Sequence, residues 1–148
     1  MEGLARNIYN LKHYVDLHLP DLIFLSEPQV FSHDLTRAIK PLAEDYLAFL
    51  NTADRFDPEL PMVKSRANGG TLVLWRRKHD AHVFVWPVSS SAFLPIVFQP
   101  PGLELSIHIA VYLPTSGLES QFIEELSKLC KCIEEMVIWE NDKESRIL

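Results

Sequence analysis

Apolar residues recur at helical spacing at the start of the chain and form short continuous runs after it. Before Pro20, four apolar residues are separated by four, three and four positions, which is typical of one face of an amphipathic helix. These residues are Leu4, Ile8, Leu11 and Val15. The segment 21–28 then holds a short apolar run closed by a polar residue and a proline, which predicts a strand buried on both faces. The chain is therefore expected to begin with a helix and a buried strand.

The middle of the chain alternates polar segments with β-branched and apolar runs. Ser32 is expected to cap a second helix, and a strand is expected over 46–50. Residues 51–68 are polar and interrupted by prolines, which predicts a long loop. The later apolar runs predict the strands of a β meander. They cover residues 71–75, 81–88, 93–99 and 103–112.

The last third of the chain predicts a long helix. Ser116 and Glu119 have the spacing of a capping box, and apolar residues follow at helical spacing. This stripe consists of Leu118, Phe122, Leu126, Leu129, Ile133 and Met136. Residues 145–148 have the composition of a further strand. No repeat or linker divides the sequence, so we expect one α/β (α+β) domain over residues 1–148, with helices covering the faces of a mixed sheet.

Composition and charge limit the classes of function. The chain is 47% hydrophobic and 23% charged, and no apolar stretch approaches the roughly 20 residues of a membrane-spanning helix. No secretory signal follows Met1, so we expect an intracellular protein, nuclear or cytoplasmic. The net charge of −6 argues against nucleic-acid binding through the overall field of the protein. We therefore expect any contact with a phosphate backbone to be local.

One local cluster of positive charge could make such a contact. Five basic residues occur between positions 64 and 79 with no acidic residue among them. They are Lys64, Arg66, Arg76, Arg77 and Lys78, which are candidates for contacts with a nucleic-acid backbone. The alternative is an ordinary solvated loop and strand end, because five charges form a modest cluster.

Familiar catalytic motifs are absent from the sequence. It holds no Walker loop, no dinucleotide-binding glycine pattern, no zinc-protease motif and no nucleophile elbow. The six histidines lack the spacing of metal ligands. Cys130 and Cys132 lie two residues apart in the predicted helix, so they point to different faces and are not expected to pair.

Glu27 and Tyr112 are the most informative polar positions, because each lies at the C-terminal end of an apolar predicted strand. A carboxylate at a strand end can hold a hard cation such as Mg²⁺, and a tyrosine hydroxyl there can reach a phosphate oxygen. The alternatives are an exposed turn carboxylate for Glu27 and an aromatic residue that completes a buried strand for Tyr112. Periodicity alone leaves these alternatives open.

Four segments in order resemble the first half of the endonuclease/exonuclease/phosphatase superfamily, especially the endonuclease domains of LINE-type retrotransposons. They are Gly3-Leu4 before a helix, Pro20 to Glu27, Gly69-Gly70-Thr71-Leu72-Val73-Leu74, and Val111-Tyr112-Leu113-Pro114-Thr115. The resemblance implies that Glu27 binds Mg²⁺ or Mn²⁺ and that Tyr112 contacts the scissile phosphate of DNA. It also implies a four-layer fold in which two sheets pack together with helices outside.

Other family motifs are not found. The metal-binding Asn expected before Gly3, the Gly-Asp-x-Asn strand and the Ser-Asp-His motif have no counterpart, and Thr115 stands where the family often has Asn. The resemblance thus implies a partial domain, truncated at both ends, that is inactive alone and self-associates through an exposed sheet edge. The alternatives are a non-catalytic interaction or nucleic-acid-binding relic of the same fold, and a phosphatase that acts on small phosphate esters or lipids.

Overall fold

The first helix of the protein follows the predicted amphipathic pattern. A computed structural model of the chain describes residues 3–51, 70–88, 90–113 and 119–147. Helix α1 covers Gly3–His18 and buries Leu4, Ile8 and Val15. The helix ends where Leu19 adopts a left-handed φ of 46° before Pro20, and the Leu19 N–H still donates to the Val15 carbonyl at 2.8 Å. The predicted helix is confirmed.

Six strands form two antiparallel three-stranded sheets within the described residues. In the first sheet, β3 (Thr71–Arg76) lies between β1 (Leu22–Ser26) and β2 (Tyr46–Asn51). Ser26 and Asn51 both pair with Thr71, so the ends of β1 and β2 flank the start of β3. The sheet is therefore built around the most buried of its three strands.

The second sheet is a meander of consecutive strands. Strand β5 (Phe93–Phe98) is central, with β4 (Val83–Val85) on one side and β6 (Ser106–Val111) on the other. Phe93 pairs with Val111, which places the end of β6 beside the start of β5. The predicted meander is thus correct for these three strands, whereas 71–76 belongs to the first sheet.

The two central strands alternate their side chains between two layers of core. Val73 and Trp75 of β3 pack with Leu94 and Ile96 of β5, so the two sheets contact each other face to face. The opposite face of β3 packs on α1 through Leu72 and Leu74. The opposite face of β5, with Phe93 and Val97, packs on helix α3 (Glu119–Ile147). Because successive side chains of β3 and β5 point to opposite faces of their sheets, the layers follow in the order α1, first sheet, second sheet and α3.

Several sequence predictions are corrected. The strand predicted to be buried on both faces, β1, is a half-buried edge strand of its sheet, and β3 is the fully buried one. The mixed sheet is wrong, because all described strand pairs are antiparallel. Residues 81–82 belong to a 3₁₀ helix over Arg77–His82, which shortens the predicted strand 81–88 to 83–85.

The predicted helices differ from the structure at their ends. The second helix, α2, covers Leu35–Ala38 between 3₁₀ turns, and Asp34 rather than Ser32 occupies its cap position. Residues 145–147 continue α3 instead of forming a strand, because no glycine or proline interrupts the sequence after position 117. The loop 52–68, Ser116 and Leu118 lie outside the described residues.

The buried face of α3 is rotated from the predicted stripe. Leu129 and Met136 are buried as predicted, but the other buried side chain among those described in this helix is Cys132. Phe122, Leu126 and Ile133 of the predicted stripe are exposed. Cys132 is buried, Cys130 is exposed, and both are free thiols, as expected. Among the described residues, no helix has the length and apolar character required to cross a membrane.

Candidate functional site

Glu27 is held in an unusual backbone conformation directly after β1. Its φ is 49°, in the left-handed region that a residue with a side chain adopts at a cost of about 1–3 kcal/mol. The Glu27 N–H donates to the Gly70 carbonyl at 3.1 Å, which fixes the turn against the start of β3. The residue is exposed. Its carboxylate is therefore available to solvent and ligands.

Tyr112 follows β6 and reaches the same point from the second sheet. Its backbone N–H donates to the Ala92 carbonyl at 2.7 Å, so the backbone is fixed beside β5. Ser26 and Val111, the residues directly before Glu27 and Tyr112, line one cavity of the protein. Hydrogen bonding with Glu27 raises the pKa of Tyr112, and desolvation and the negative charge of Glu27 raise it further. The structure thus brings together the two residues that the sequence analysis selected.

Asn51 joins the ends of the two sheets near this pair. It is the last residue of β2, and its side-chain amide donates to the carbonyls of Ser90 and Phe93, both at 2.9 Å. Because both N–H groups of one amide are used, the position of one sheet relative to the other is fixed at this end. The sequence placed Asn51 in a loop, and its role depends on contacts across 39 and 42 residues that local pattern does not show.

Ser90 connects the same end of the second sheet to α3. Its hydroxyl donates to the Glu125 carboxylate and accepts the Ala92 N–H at 3.0 Å. Ala92 also accepts the Tyr112 N–H, so the backbone that carries Tyr112 is tied through residues 90–92 to α3. Thr71, opposite Ser26, is fully buried, and its Oγ1 has no hydrogen-bond partner among the described residues.

The N-terminus of α1 supports the turn that carries Glu27. The Leu4 N–H donates to the Pro28 carbonyl at 2.9 Å. Gly3 has a φ of 65°, and a Cβ there would lie 2.4 Å from the Pro28 carbonyl oxygen. A cavity of about 210 Å³ lies between this end of α1 and the turn, and Gly3, Asn7, Ser26 and Glu27 are among its lining residues. The close approach explains why glycine begins the helix.

The described part of the basic cluster lies away from Glu27. Arg76 ends β3, whereas Glu27 borders the start of the same strand, a separation of roughly 16 Å for six residues of strand. Two nitrogens of the Arg77 guanidinium, Nε and Nη2, donate to the Ala43 carbonyl at 2.9 and 2.7 Å. This exposed side chain is therefore also engaged in a contact with the backbone. Lys78 is exposed. Lys64 and Arg66 lie outside the described residues.

Comparison with known proteins found no matching family model, no matching curated protein and no matching solved structure.

The arrangement at the sheet ends has a defined chemical capacity. An exposed carboxylate is an oxygen ligand for a hard cation, and the tyrosine hydroxyl beside it is a hydrogen-bond donor for an anionic oxygen. Within the described ranges, no group of three or more His, Cys, Asp or Glu side chains could hold a metal ion.

Replacing Glu27 with Gln is expected to lower the pKa of Tyr112. The neutral amide no longer opposes the tyrosinate charge, and its oxygen accepts a weaker hydrogen bond than a carboxylate does. Absorbance titration of tyrosinate, with Tyr112→Phe subtracted to isolate this residue, measures the change. Because the pKa is raised in the folded state, the contact stabilises the fold below the ordinary tyrosine pKa and is lost as pH rises through the folded value. An unchanged Tyr112 titration in Glu27→Gln would contradict the contact.

Proposed function

We propose that this chain carries the metal-binding and phosphate-contacting part of a Mg²⁺-dependent phosphodiester hydrolase, a DNA endonuclease domain of retrotransposon type. The observation that carries the proposal is the proximity of Tyr112 and Glu27: their neighbours Val111 and Ser26 line one cavity, and Glu27 raises the pKa of Tyr112. These residues are 85 positions apart in the sequence, and each directly follows a strand of a different sheet. The two roles require neighbouring positions.

The fold supports the same assignment. Two antiparallel sheets pack together, with α1 and α3 on their outer faces. We propose that this is the two-sheet sandwich of the endonuclease/exonuclease/phosphatase superfamily. In such a sandwich, strand ends from both sheets border one site; here Ser26 at the end of β1 and Val111 at the end of β6 line one cavity.

The residues present fit a divalent cation that has few protein ligands. Mg²⁺ is usually bound through one or two carboxylates, with water and substrate phosphate in the remaining positions. Glu27 provides one exposed carboxylate and would hold Mg²⁺ or Mn²⁺. When bound, the cation supplies positive charge that stabilises the phosphodiester oxygens during hydrolysis.

Tyr112 would act as a hydrogen-bond donor to the phosphate. Its raised pKa keeps the hydroxyl protonated at neutral pH, so it can donate to an anionic oxygen. Glu27, whose carboxylate raises this pKa, would hold the cation beside the same phosphate. Contact of the Tyr112 hydroxyl with a phosphate oxygen then requires no change in its protonation.

The proposal also includes partners. DNA is the proposed substrate, and the basic residues Arg76 and Lys78 could contact a distant part of its backbone. Strands β1 and β6 each pair with one neighbour among the described residues, so each leaves one edge open. We propose that a second copy of the chain can pair with such an edge, which sedimentation would detect.

Metal binding gives the direct test of Glu27. Electron paramagnetic resonance of free Mn²⁺ measures binding to the purified chain, and we expect Glu27→Gln to weaken the affinity at least tenfold. Glu104→Gln, which changes another exposed glutamate, is the matched control and should bind Mn²⁺ as the unmodified chain does. Equal affinity in Glu27→Gln and Glu104→Gln would refute the proposed metal ligand.

Nicking of supercoiled plasmid tests the activity itself. Because the sequence lacks the Gly-Asp-x-Asn and Ser-Asp-His motifs of the superfamily, we expect the 148-residue chain to bind Mn²⁺ without cutting DNA above the level of Glu27→Ala. Nicking that requires both Mg²⁺ and Glu27 would show that the chain is sufficient for catalysis. It would then contradict the expectation of a partial, inactive domain.

A second candidate is a non-catalytic interaction module that retains the fold. The observation that favours it is the large number of exposed apolar side chains on α3, a helix whose other face is packed on the second sheet. DNA affinity that falls steeply with salt would favour the endonuclease assignment, whereas the interaction module predicts no such slope.

A further inference from the structure

Helix α3 carries an exposed apolar stripe in addition to its buried face. The stripe, here called the α3 seam, consists of Ile123, Leu126, Cys130, Ile133 and Val137. Its four aliphatic residues are between 39% and 53% exposed, and Cys130 is also exposed. Packing in the described chain thus leaves this face of α3 without a partner over most of the helix.

The spacing of the α3 seam is that of a helix-pairing surface. Successive members are separated by three, four, three and four positions, the a and d pattern of a heptad. At about 100° per residue, the seam lies roughly a quarter to a third of a turn from the face of Leu129, Cys132 and Met136 that packs on the second sheet. A second helix could therefore occupy the seam without displacing the sheet.

The charges beside the α3 seam are acidic. Glu119 is in line with it at the N-terminal end, and Glu134 and Glu140 follow Ile133 and Val137 by one and three positions. The cation Lys128 lies toward the opposite side, where it pairs with Glu124 at 3.7 Å and with Glu125 at 3.3 Å. The described charges that border the seam are thus all carboxylates, which favours a positively charged partner.

We propose that the α3 seam binds a basic amphipathic helix of another protein. The three-four spacing specifies a helix, because its knobs fit holes formed by four residues of a facing helix. The bordering carboxylates specify basic residues beside the partner's apolar positions. Pairing of α3 with a second copy of itself would bring acidic borders together, so the charges disfavour that occupant. The interaction is separate from the chemistry at Glu27.

Two synthetic helical peptides of about three heptads test the proposal. Both carry Leu at the a and d positions, and the flanking positions hold Lys in one peptide and Glu in the other. Fluorescence anisotropy with the purified chain measures their affinities. We expect the Lys peptide to bind at least tenfold more tightly than the Glu peptide, and added salt to reduce the difference.

Variants of α3 locate the binding surface. Ile133→Glu should weaken binding of the Lys peptide at least tenfold, because it places a charge in the centre of the seam. Ile138→Glu is the matched control, since Ile138 is more exposed than Ile133 and lies outside the seam. The ring centroids of Trp86 and Trp139 lie 5.5 Å apart. Near-ultraviolet circular dichroism, which reports on this tryptophan packing, verifies that both variants are folded.

Three results would overturn the proposal. The first is equal affinity for the Lys and Glu peptides, and the second is unchanged binding of the Lys peptide by folded Ile133→Glu. The third is a dimer in sedimentation that Ile133→Glu dissociates and Ile138→Glu does not, which would assign the seam to a second copy of this chain.

Discussion

Replacing Ile96 with Ala is expected to lower the free energy of unfolding by about 2–5 kcal/mol, the usual cost of removing a large buried aliphatic side chain. Ile96 is 0% exposed and packs with Leu94 of its own strand and with Val73 and Trp75 of the other sheet. Layers on both sides of the two sheets prevent collapse into the space left behind. Urea unfolding followed by circular dichroism measures the loss.

Leu103→Ala is the matched control for this loss. Leu103 is 66% exposed in the turn between β5 and β6, so its truncation removes little buried surface. We expect a change within about 0.5 kcal/mol, as for most surface substitutions. Similar costs for Ile96→Ala and Leu103→Ala would contradict the face-to-face packing of the two sheets.

The pattern of apolar residues in the sequence predicted the helices and strands in which this pattern is clear and uninterrupted. Strands β2 and β3 and helix α1 lie close to their predicted bounds, because their apolar residues follow a clear period and end at polar residues or proline. Burial was harder to predict. Strands β1 and β3 are similarly apolar, yet β3 lies between two neighbours and β1 lies at an edge, a difference set by pairing between distant segments.

In the candidate site, too, local sequence pattern identified some residues and missed those that act through contacts between distant segments. Glu27 and Tyr112 could be predicted as candidates because each ends an apolar run, and the residues directly before them line one cavity in the structure. The residues that support them were not recognised. Asn51 and Ser90 act through contacts with residues 35 to 42 positions away, and neither has a local motif.

Helix α3 shows why an apolar stripe does not identify a buried face. Its sequence contains two overlapping stripes at helical spacing, and the prediction took members from both. The second sheet selects Leu129, Cys132 and Met136, so Leu126 and Ile133 remain exposed. The excess of apolar positions over those needed for packing is the feature that points to a partner helix.

Replacing Gly3 with Ala is expected to disturb both stability and the candidate site. A methyl group there would lie 2.4 Å from the Pro28 carbonyl oxygen and 2.7 Å from the Gln29 Cβ, and the φ of 65° is itself unfavourable for alanine. Backbone strain costs about 1–3 kcal/mol, and relief of the overlap requires α1 to move away from the turn after Glu27. The Leu4 to Pro28 hydrogen bond would lengthen or break.

Gly102→Ala is the control for Gly3→Ala, because it introduces the strain of a positive φ without a steric overlap. Gly102 has a φ of 79°, but a Cβ there would meet no atom within 4 Å. We therefore expect Gly3→Ala to destabilise the protein more than Gly102→Ala does, as measured by urea unfolding. Because Pro28 follows Glu27 directly, Gly3→Ala should also weaken the contact with Tyr112 and lower the Tyr112 pKa, while Gly102→Ala leaves it unchanged. Equal destabilisation by the two variants would contradict the steric overlap at Gly3, and an unchanged Tyr112 pKa in Gly3→Ala would show that the approach of α1 does not position Glu27.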